Sequence, residues 1–249
     1  MCGRYTETAA FEELAERFGI TLAQEEVEEL RPSYNVAPSQ PVPIVVSVDG
    51  GRALRLARWG FKPHGMRESK LAPINARAET LLTGQMFREA ARRARCLVPA
   101  DGFYEWQAVP GQKRKRPYYV KLKGGGLFAF AGLWSPGHTV LRAAGRRGAG
   151  APASEANGSG ETSSPPTCTI ITTSANPLVA PIHNRMPVIL DPSDEARWLD
   201  PGLTDPAAVS ACLRPFPAER MEAYPVSALV SSPRNDGSEL IEPATEART

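Results

Sequence analysis

The sequence lacks the features by which secreted, membrane and metal-binding proteins are usually recognised. None of its apolar runs approaches the roughly 20 residues that a helix needs to cross a bilayer. The first eighteen residues contain no basic segment followed by an apolar one, so we expect no secretory signal and a cytoplasmic protein. The four cysteines, at positions 2, 96, 168 and 212, show no metal-ligand spacing. We therefore expect no metal, no organic cofactor, no disulfide and no membrane contact.

Acidic residues are scarce in the central third of the chain. Residues 52–147 contain 20 Lys and Arg but only 5 Asp and Glu, a balance of +15, whereas the remaining residues contain 9 basic and 22 acidic ones. The net charge of +2 hides this asymmetry. A basic face of this kind favours a polyanionic partner such as nucleic acid. The cluster Lys113–Arg116 is equally compatible with a solvated hairpin tip.

Apolar periodicity predicts a mixed α and β chain. It indicates helices over residues 8–18, closed by Gly19, and over residues 83–95. Short apolar and aromatic runs separated by turn residues predict strands, at residues 44–48, 54–59, 96–98, 102–107, 118–123, 127–133 and 167–173. Residues 143–166 contain almost no large apolar side chain, so we expect a flexible insertion there. A single domain over residues 2–243 and a disordered tail at 244–249 complete this organisation.

Cys2 stands out because of its position. Loss of the initiator methionine would leave Cys2 with an α-amine and a thiol on adjacent carbons. An α-amine has a pKa of about 7.7–8.0, well below the value of about 10.4 for lysine, so it is a competent nucleophile towards an aldehyde near neutral pH. The amine would form a Schiff base and the thiol would close it to a thiazolidine.

Position 2 alone does not decide the role of Cys2. The residue is also compatible with a chance cysteine in a frayed terminus. It is further compatible with an N-terminal nucleophile amidohydrolase, in which the thiolate attacks an amide. A third alternative for the whole chain is a single-stranded DNA binder without enzymatic activity.

Seven motifs in a fixed order make the sequence resemble the SOS-response-associated peptidase (SRAP) family. They are MCGRY at 1–5, RPSYNVAP at 31–38, RWGF at 58–61, INARAET at 74–80, RCLVPADGFYEW at 95–106, FAGLW at 130–134, and TTSAN at 172–176 continuing to IHNRMP at 182–187. The resemblance implies a compact α+β fold with antiparallel sheets curved into a barrel-like core and flanking helices. It also implies a DNA channel across one face.

The resemblance implies four catalytic residues, Cys2, Asn75, Glu105 and His183. Glu105 lies among aromatic residues that would raise its pKa and suit it to proton transfer, although an exposed strand carboxylate would show the same spacing. Asn75 can hold the Cys2 amine or a sugar oxygen, or serve as a turn residue. His183 can act as acid or base near neutral pH, whereas a lone histidine is more often structural.

The resemblance also implies a set of DNA-binding residues: Arg4, Asn35, Trp59, Phe61, Arg77, Trp106, Thr172 and Arg185. Arginine binds phosphate through its planar fork, and aromatic rings stack on exposed bases. Trp59 and Trp106 are equally compatible with a place in the core. The prediction is a monomer, associated with the nucleoid when bound to DNA, that captures abasic sites in single-stranded DNA as a thiazolidine crosslink.

Overall fold

The structure, a computed structural model, describes residues 2–23, 31–49, 51–63, 72–140 and 162–244. Strands dominate these ranges. They are β1 Tyr5–Glu7, β2 Ile20–Ala23, β3 Ser33–Val36, β4 Pro41–Val48, β5 Gly51–Trp59, β6 Asn75–Arg77, β7 Arg95–Ala100, β8 Gly102–Gln107, β9 Arg116–Leu122, β10 Phe128–Ser135, β11 His138–Val140, β12 Thr162–Ser164, β13 Thr167–Ser174, β14 Arg185–Pro187 and β15 Met221–Pro225.

Helices are short in the same ranges. The α-helices are α1 Phe11–Phe18, α2 Arg88–Arg93, α3 Pro192–Leu199 and α4 Pro206–Ala211, and the 3-10 helices are Ala78–Thr80, Ala218–Arg220, Ala228–Ser231 and Ser238–Ile241. The α+β class predicted from the sequence is therefore confirmed.

The strands form two main sheets. The first has the order β15–β9–β8–β1–β3 and is antiparallel throughout. In the second, β13 pairs with β10, β10 with β7, β7 with β4 and β4 with β5. β5 then returns to β13 through the parallel pairs Thr167–Arg58 and Cys168–Trp59. Five strands of this sheet thus form a closed ring, as the predicted barrel-like curvature requires.

The buried side chains lie in three layers. Tyr5 and Phe103 from the first sheet meet Phe130 and Ile170 from the second in the cluster between the sheets. The helices cover the other face of the second sheet, where Leu14, Trp198 and other apolar residues are fully or almost fully buried. On the outer face of the first sheet, Tyr104 and Tyr119 pack against residues near the C-terminus. Strand alternation, which sends successive side chains to opposite faces, explains this division.

Several predicted boundaries differ from the observed ones. Helix α1 begins at Phe11 rather than at residue 8, because the Thr8 amide and hydroxyl donate to the Asp101 carboxylate instead of capping the helix. Gly19 closes α1 in the left-handed conformation, with φ of 60°, as predicted. The helix predicted over 83–95 is confined to Arg88–Arg93, since Arg95 already belongs to β7.

Most of the predicted insertion lies outside the described residues. Its final part is described: Thr162–Ser164 pairs with His138–Val140 as a two-stranded hairpin, and the Arg58 amide donates to the Pro166 carbonyl oxygen at 2.8 Å. The last five residues of the predicted insertion, 162–166, therefore belong to the described structure. Of the predicted tail, Ala244 is described and its amide donates to the Pro225 carbonyl oxygen, while residues 245–249 lie outside the described ranges.

Candidate active site

Cys2 lies between the two sheets, just before β1. The residue is fully buried, and its Sγ donates to the Arg4 carbonyl oxygen at 3.7 Å. Burial raises the pKa of the thiol, and the negative charge of Glu105 raises it further. The thiol is therefore neutral at physiological pH, so a resting thiolate is disfavoured at this position.

Glu105 reaches the same space from β8. Because Phe103 faces the cluster between the sheets and Tyr104 faces outwards, alternation directs Glu105 inwards towards Cys2. The residue is 2% exposed, and burial raises the pKa of its carboxyl group to about 7. The positive charge of the N-terminal amine opposes part of that rise. A carboxyl group that titrates near neutral pH can both accept and donate a proton.

Asn75 approaches Cys2 from the second sheet. It begins β6, which runs parallel to β13 with Asn75 opposite Ile170. The Asn75 Nδ2 donates to the Cys2 carbonyl oxygen at 2.8 Å. Its Oδ1 is buried and has no hydrogen-bond partner within the part of the chain that the structure describes. An acceptor beside the Cys2 backbone is thus available to a bound amine or hydroxyl group.

His183 lies two residues before β14 and is half-buried. The His183 Nδ1 lies 3.0 Å from the Arg185 backbone nitrogen and 3.2 Å from the Arg185 carbonyl oxygen, so the tautomer of the ring decides which of the two it bonds. Burial lowers the pKa of the His183 imidazole. The neutral imidazole is therefore the form expected near pH 7.

Two of the predicted catalytic residues act directly on Cys2, and the third is linked to them through charge. A hydrogen bond joins Asn75 to Cys2, the charge of Glu105 acts on Cys2, and the charge of Lys115 acts on both Glu105 and His183. The first sheet supplies Glu105, and the second supplies Asn75 and the strand that follows His183. The arrangement places a thiol, a titratable carboxyl group and an imidazole close to one another.

Three of the predicted DNA-binding residues face the opposite side of the first sheet. Arg4 donates to Asn35 Oδ1 at 2.7 Å and to the carbonyl oxygens of Val230 and Ser231 at 2.9 and 3.4 Å. The Trp106 indole donates to the Ser231 hydroxyl at 3.1 Å. These side chains hold the segment near residue 230 against the outer face of the sheet.

Three others are buried. Trp59 is fully buried and its indole donates to the Ile74 carbonyl oxygen at 2.9 Å. Phe61 packs on Phe87 with ring centroids 5.4 Å apart, and Thr172 is fully buried in β13. The core position that the sequence left open for Trp59 is the one observed.

The two remaining arginines differ in exposure. Arg77 is exposed at the end of β6 and remains available to a ligand. The Arg185 side chain is only 15% exposed, and its guanidinium group forms two hydrogen bonds to the Glu79 carboxylate and two to Thr172. Its donors are therefore largely engaged within the protein.

Several known proteins are similar in sequence to this chain along most of its length. The family model described as SOS response associated peptidase (SRAP) matches residues 1–233. The chain belongs to the SRAP family. Among curated SRAP relatives, the abasic site processing protein YoqW of Bacillus subtilis is 42% identical over 97% of this chain and 99% of its own length. YedK of Escherichia coli is 29% identical over 98% and 100%, and HMCES of Gallus gallus is 31% identical over 86% and 66%. Both carry the same descriptive name.

Solved structures show the same SRAP architecture. A protein from Bacteroides thetaiotaomicron matches with a TM-score of 0.80 at 27% identity, over 98% of this chain and 100% of that one. A phage-related protein from Bordetella bronchiseptica matches with a TM-score of 0.63 at 30% identity, over 90% and 94%.

Three residues that the sequence did not single out also belong to this SRAP site. Glu79, inside the INARAET motif, pairs with Arg185. Lys115, inside the basic cluster, exerts its charge on Glu105 and His183. Gln107 donates to the Pro181 carbonyl oxygen at 3.0 Å and ties the end of β8 to the His183 segment. The motif and the charge cluster pointed to the first two, whereas nothing in the sequence marked Gln107.

The described residues hold no group of three or more His, Cys, Asp or Glu side chains that could bind a metal ion. Over the same ranges, no helix combines the length and the apolar character that crossing a membrane requires. All four cysteines, Cys2, Cys96, Cys168 and Cys212, are free and buried.

Proposed function

We propose that this protein processes abasic sites by capturing them covalently in single-stranded DNA, with Cys2 as the nucleophile. The observation that carries the proposal is the environment of Cys2: Asn75 holds its carbonyl oxygen, and the buried Glu105 carboxyl group acts on its thiol. The names of the curated relatives, which are abasic site processing proteins, support the same substrate.

The reaction begins with removal of Met1. Hydrolysis of the first peptide bond places a free α-amine on Cys2, beside the thiol on the adjacent carbon. We infer that the protein removes this residue autocatalytically, which would account for a peptidase in the family description without any substrate protein. The new amine has a pKa of about 7.7–8.0 and is partly unprotonated near neutral pH.

Capture then takes two bond-forming steps. The amine adds to the aldehyde of the ring-opened deoxyribose, and the resulting carbinolamine loses water to give a Schiff base. The thiol adds to the imine carbon, its proton passes to the nitrogen, and a five-membered thiazolidine ring closes. Because burial keeps the thiol protonated, the amine reacts first and the thiol follows.

The side chains near Cys2 either transfer protons or hold the reacting groups in place. Glu105 takes a proton from the protonated Cys2 amine and donates it to the sugar ring oxygen as the ring opens, and its carboxylate then takes up the proton of the C1′ hydroxyl group, which becomes the aldehyde. Asn75 holds the Cys2 backbone and offers its Oδ1 to the amine or the sugar. His183 donates a ring N–H proton to the opened sugar as a general acid.

The DNA contacts follow from the charge distribution. Exposed cations near the site, Arg77 and Lys115, would neutralise phosphates on either side of the abasic residue. Selectivity would come from access of the aldehyde, since an abasic sugar offers no base to read.

The Schiff-base stage also permits β-elimination, so strand cleavage is a second activity of the same intermediate. Reversal of the crosslink would use Glu105 again.

The test is incubation of the purified protein with a single-stranded oligonucleotide that contains one abasic site, followed by a denaturing gel. We expect a stable adduct that is absent for Cys2→Ala and for an oligonucleotide with all bases intact. Cys212→Ala is the matched control, because Cys212 is also buried but lies at the end of α4. Intact mass must show that Met1 is absent. A folded protein without Met1 that forms no adduct would contradict the proposal.

A further inference from the structure

The carboxylate of Asp101, the residue just before β8, is bonded to the N-terminal segment of the chain. Thr8 donates to Asp101 Oδ2 through its backbone amide, at 3.0 Å, and through its hydroxyl group. The Thr6 hydroxyl donates to Asp101 Oδ1. In the opposite direction, the Asp101 amide donates to the Thr6 carbonyl oxygen at 3.1 Å. One residue thus joins the start of β8 to β1 and to the residue that follows β1.

These bonds lie where β1 is paired with β8 over a short length. The ladder between the two strands consists of Tyr5 opposite Phe103 and Thr6 opposite Gly102. On its other edge β1 pairs with β3, but the register of that pairing shifts along the strand. An irregular pairing does not fix the position of a strand along its axis. The bonds of Asp101 therefore supply much of what fixes the register of β1 on β8.

This register decides where Cys2 lies. The Tyr104 amide donates to the Arg4 carbonyl oxygen at 3.0 Å, which extends the same alignment beyond the ladder. Continued towards the N-terminus, the alignment places Gly3 opposite Glu105, with Cys2 as its neighbour. A slip of one residue would move Cys2 by about 3.3 Å and turn its side chain to the other face. Placement errors of about 1 Å can cost a reaction about a hundredfold.

We propose that Asp101 is a positioning residue, which fixes the register of β1 on β8 and so holds Cys2 beside Glu105. This inference rests on the proposed function, in which Cys2 is the nucleophile. Asp101 lies four residues before Glu105, a separation of about 13 Å along an extended strand. It therefore acts through the strands and not on the reacting atoms.

Asp101→Asn tests this role. The substitution keeps one acceptor oxygen and replaces the other by an amide donor, which cannot accept from Thr8. We expect the rate constant of adduct formation at saturating single-stranded DNA to fall about tenfold to a hundredfold. The dissociation constant for the same DNA should stay within about twofold, because the substitution displaces the nucleophile and leaves the cations near the site in place. Single-turnover kinetics and fluorescence anisotropy measure the two quantities.

Thr8 offers a second pair of substitutions, which keeps the test valid if Asp101→Asn does not fold. Thr8→Val removes the hydroxyl group at nearly constant shape, whereas Thr8→Ser keeps it. Loss of this one hydrogen bond should lower the rate about threefold to tenfold in Thr8→Val. Thr8→Ser should react at the wild-type rate. Thr8 is only partly buried, so both variants should fold.

Asp191→Asn is the matched control. Asp191 also accepts from the amide and the hydroxyl of a single residue, Ser193, at 3.2 and 2.9 Å, but it caps α3. The control variant should melt at a lower temperature than wild type and keep the wild-type rate. A stability effect without a change in the position of Cys2 would then be recognised as such.

A cycle with Glu105→Gln tests whether the effect of Asp101 passes through the contact between Cys2 and Glu105. If it does, the loss of rate in the double variant is clearly smaller than the product of the two single losses. Independent roles would give multiplied losses.

The outcomes separate the two claims. A wild-type protein without any adduct would refute the proposed function, and the role of Asp101 with it. A wild-type adduct with unchanged rates for folded Asp101→Asn and Thr8→Val would refute only the role of Asp101. Equal losses in Thr8→Val and Thr8→Ser, a comparable loss in Asp191→Asn, or multiplied losses in the Glu105→Gln background would also overturn it.

Discussion

Burial raises the carboxyl pKa of one glutamate in this chain, and an ion pair lowers the carboxyl pKa of another. Glu105 is almost fully buried, and desolvation raises the pKa of its carboxyl group to about 7. Glu79 is half-exposed and bonded to Arg185, which lowers the pKa of its carboxyl group. Near neutral pH the first glutamate exchanges protons, while the second remains a fixed negative charge.

The pH dependence of adduct formation should follow Glu105. We propose that the Cys2 amine and the Glu105 carboxyl group together hold one proton in the active form. The wild-type rate of adduct formation should therefore fall as pH drops below about 7, where a second proton binds. Glu105→Gln should react about a hundredfold more slowly and lose this dependence, within the usual range for general acid–base catalysis. Single-turnover rates between pH 5 and pH 9 give the comparison. An unchanged acidic limb in Glu105→Gln would exclude Glu105 as its source.

The sequence indicated which residues surround Cys2 but not the contacts of the other predicted residues. The family motifs named Cys2, Asn75, Glu105 and His183, and the structure places Asn75 and Glu105 beside Cys2, while the catalytic roles of all four stay a prediction. The motifs did not reveal that Trp59 fills the core, because an indole that stacks on a base and one that packs inside leave the same pattern in a sequence. Only the tertiary partners of a side chain distinguish those roles.

At the scale of elements, the 3-10 helix Ala228–Ser231 and the residues after it form a strap across the outer face of the first sheet. Asn35 is 1% exposed and holds the strap from β3. Its Nδ2 donates to the carbonyl oxygens of Val230, Ser232 and Asn235 at 3.3, 3.0 and 2.7 Å. The sequence motif containing Asn35 suggested DNA binding, whereas its observed hydrogen bonds are internal.

Asn35→Ala should therefore weaken the fold. The substitution leaves one buried and two partly buried carbonyl oxygens without their donor, which costs about 2–4 kcal/mol in the free energy of unfolding. Urea denaturation measures this loss, with Asn184→Ala as the control because Asn184 is exposed. In fluorescence anisotropy, folded Asn35→Ala should bind single-stranded DNA as tightly as wild type. Weaker binding with unchanged stability would instead identify Asn35 as a DNA contact.

The predicted bounds of an element match the observed ones where strand pairing and the local sequence pattern favour the same structure. Strand β8 has the predicted bounds, Gly102–Gln107, and its first residue must be glycine because a Cβ there would lie 2.1 Å from the Tyr119 hydroxyl oxygen. The predicted helix over 83–95 was too long because Arg95 pairs with Leu133 in the second sheet. That partner lies 38 positions later in the sequence, beyond the reach of helical periodicity.

At the scale of the whole molecule, buried carboxyl groups make stability depend on pH. Glu7 is 3% exposed, and burial, followed by the charge of Asp101, raises the pKa of its carboxyl group to about 8. Below pH 4.5 the group is protonated in both the folded and the unfolded state. As pH rises from there to about 8, the unfolded chain ionises first, so stability is lost over this window. Glu105 acts in the same direction up to about pH 7.

Replacement of Glu7 by glutamine should reduce this loss. We expect the wild-type urea midpoint to fall between pH 5 and pH 9, and the midpoint of Glu7→Gln to fall less, because the amide carries no charge at either pH. Glu12→Gln, on the exposed side of α1, should follow the wild type. Equal pH dependence in all three proteins would show that Glu7 does not carry the effect.

The closed ring of five strands determines when the site is completed as the chain is made. Its closing pairs join Arg58 and Trp59 to Thr167 and Cys168, more than 100 positions later. The ribosome must therefore release β13 before the ring can close. Asn75 and His183 lie on the strand and the segment that flank β13, so neither reaches its final place until then. Cys2 leaves the ribosome among the first residues, yet the groups that would activate it are assembled around it only after β13 and the His183 segment have been released.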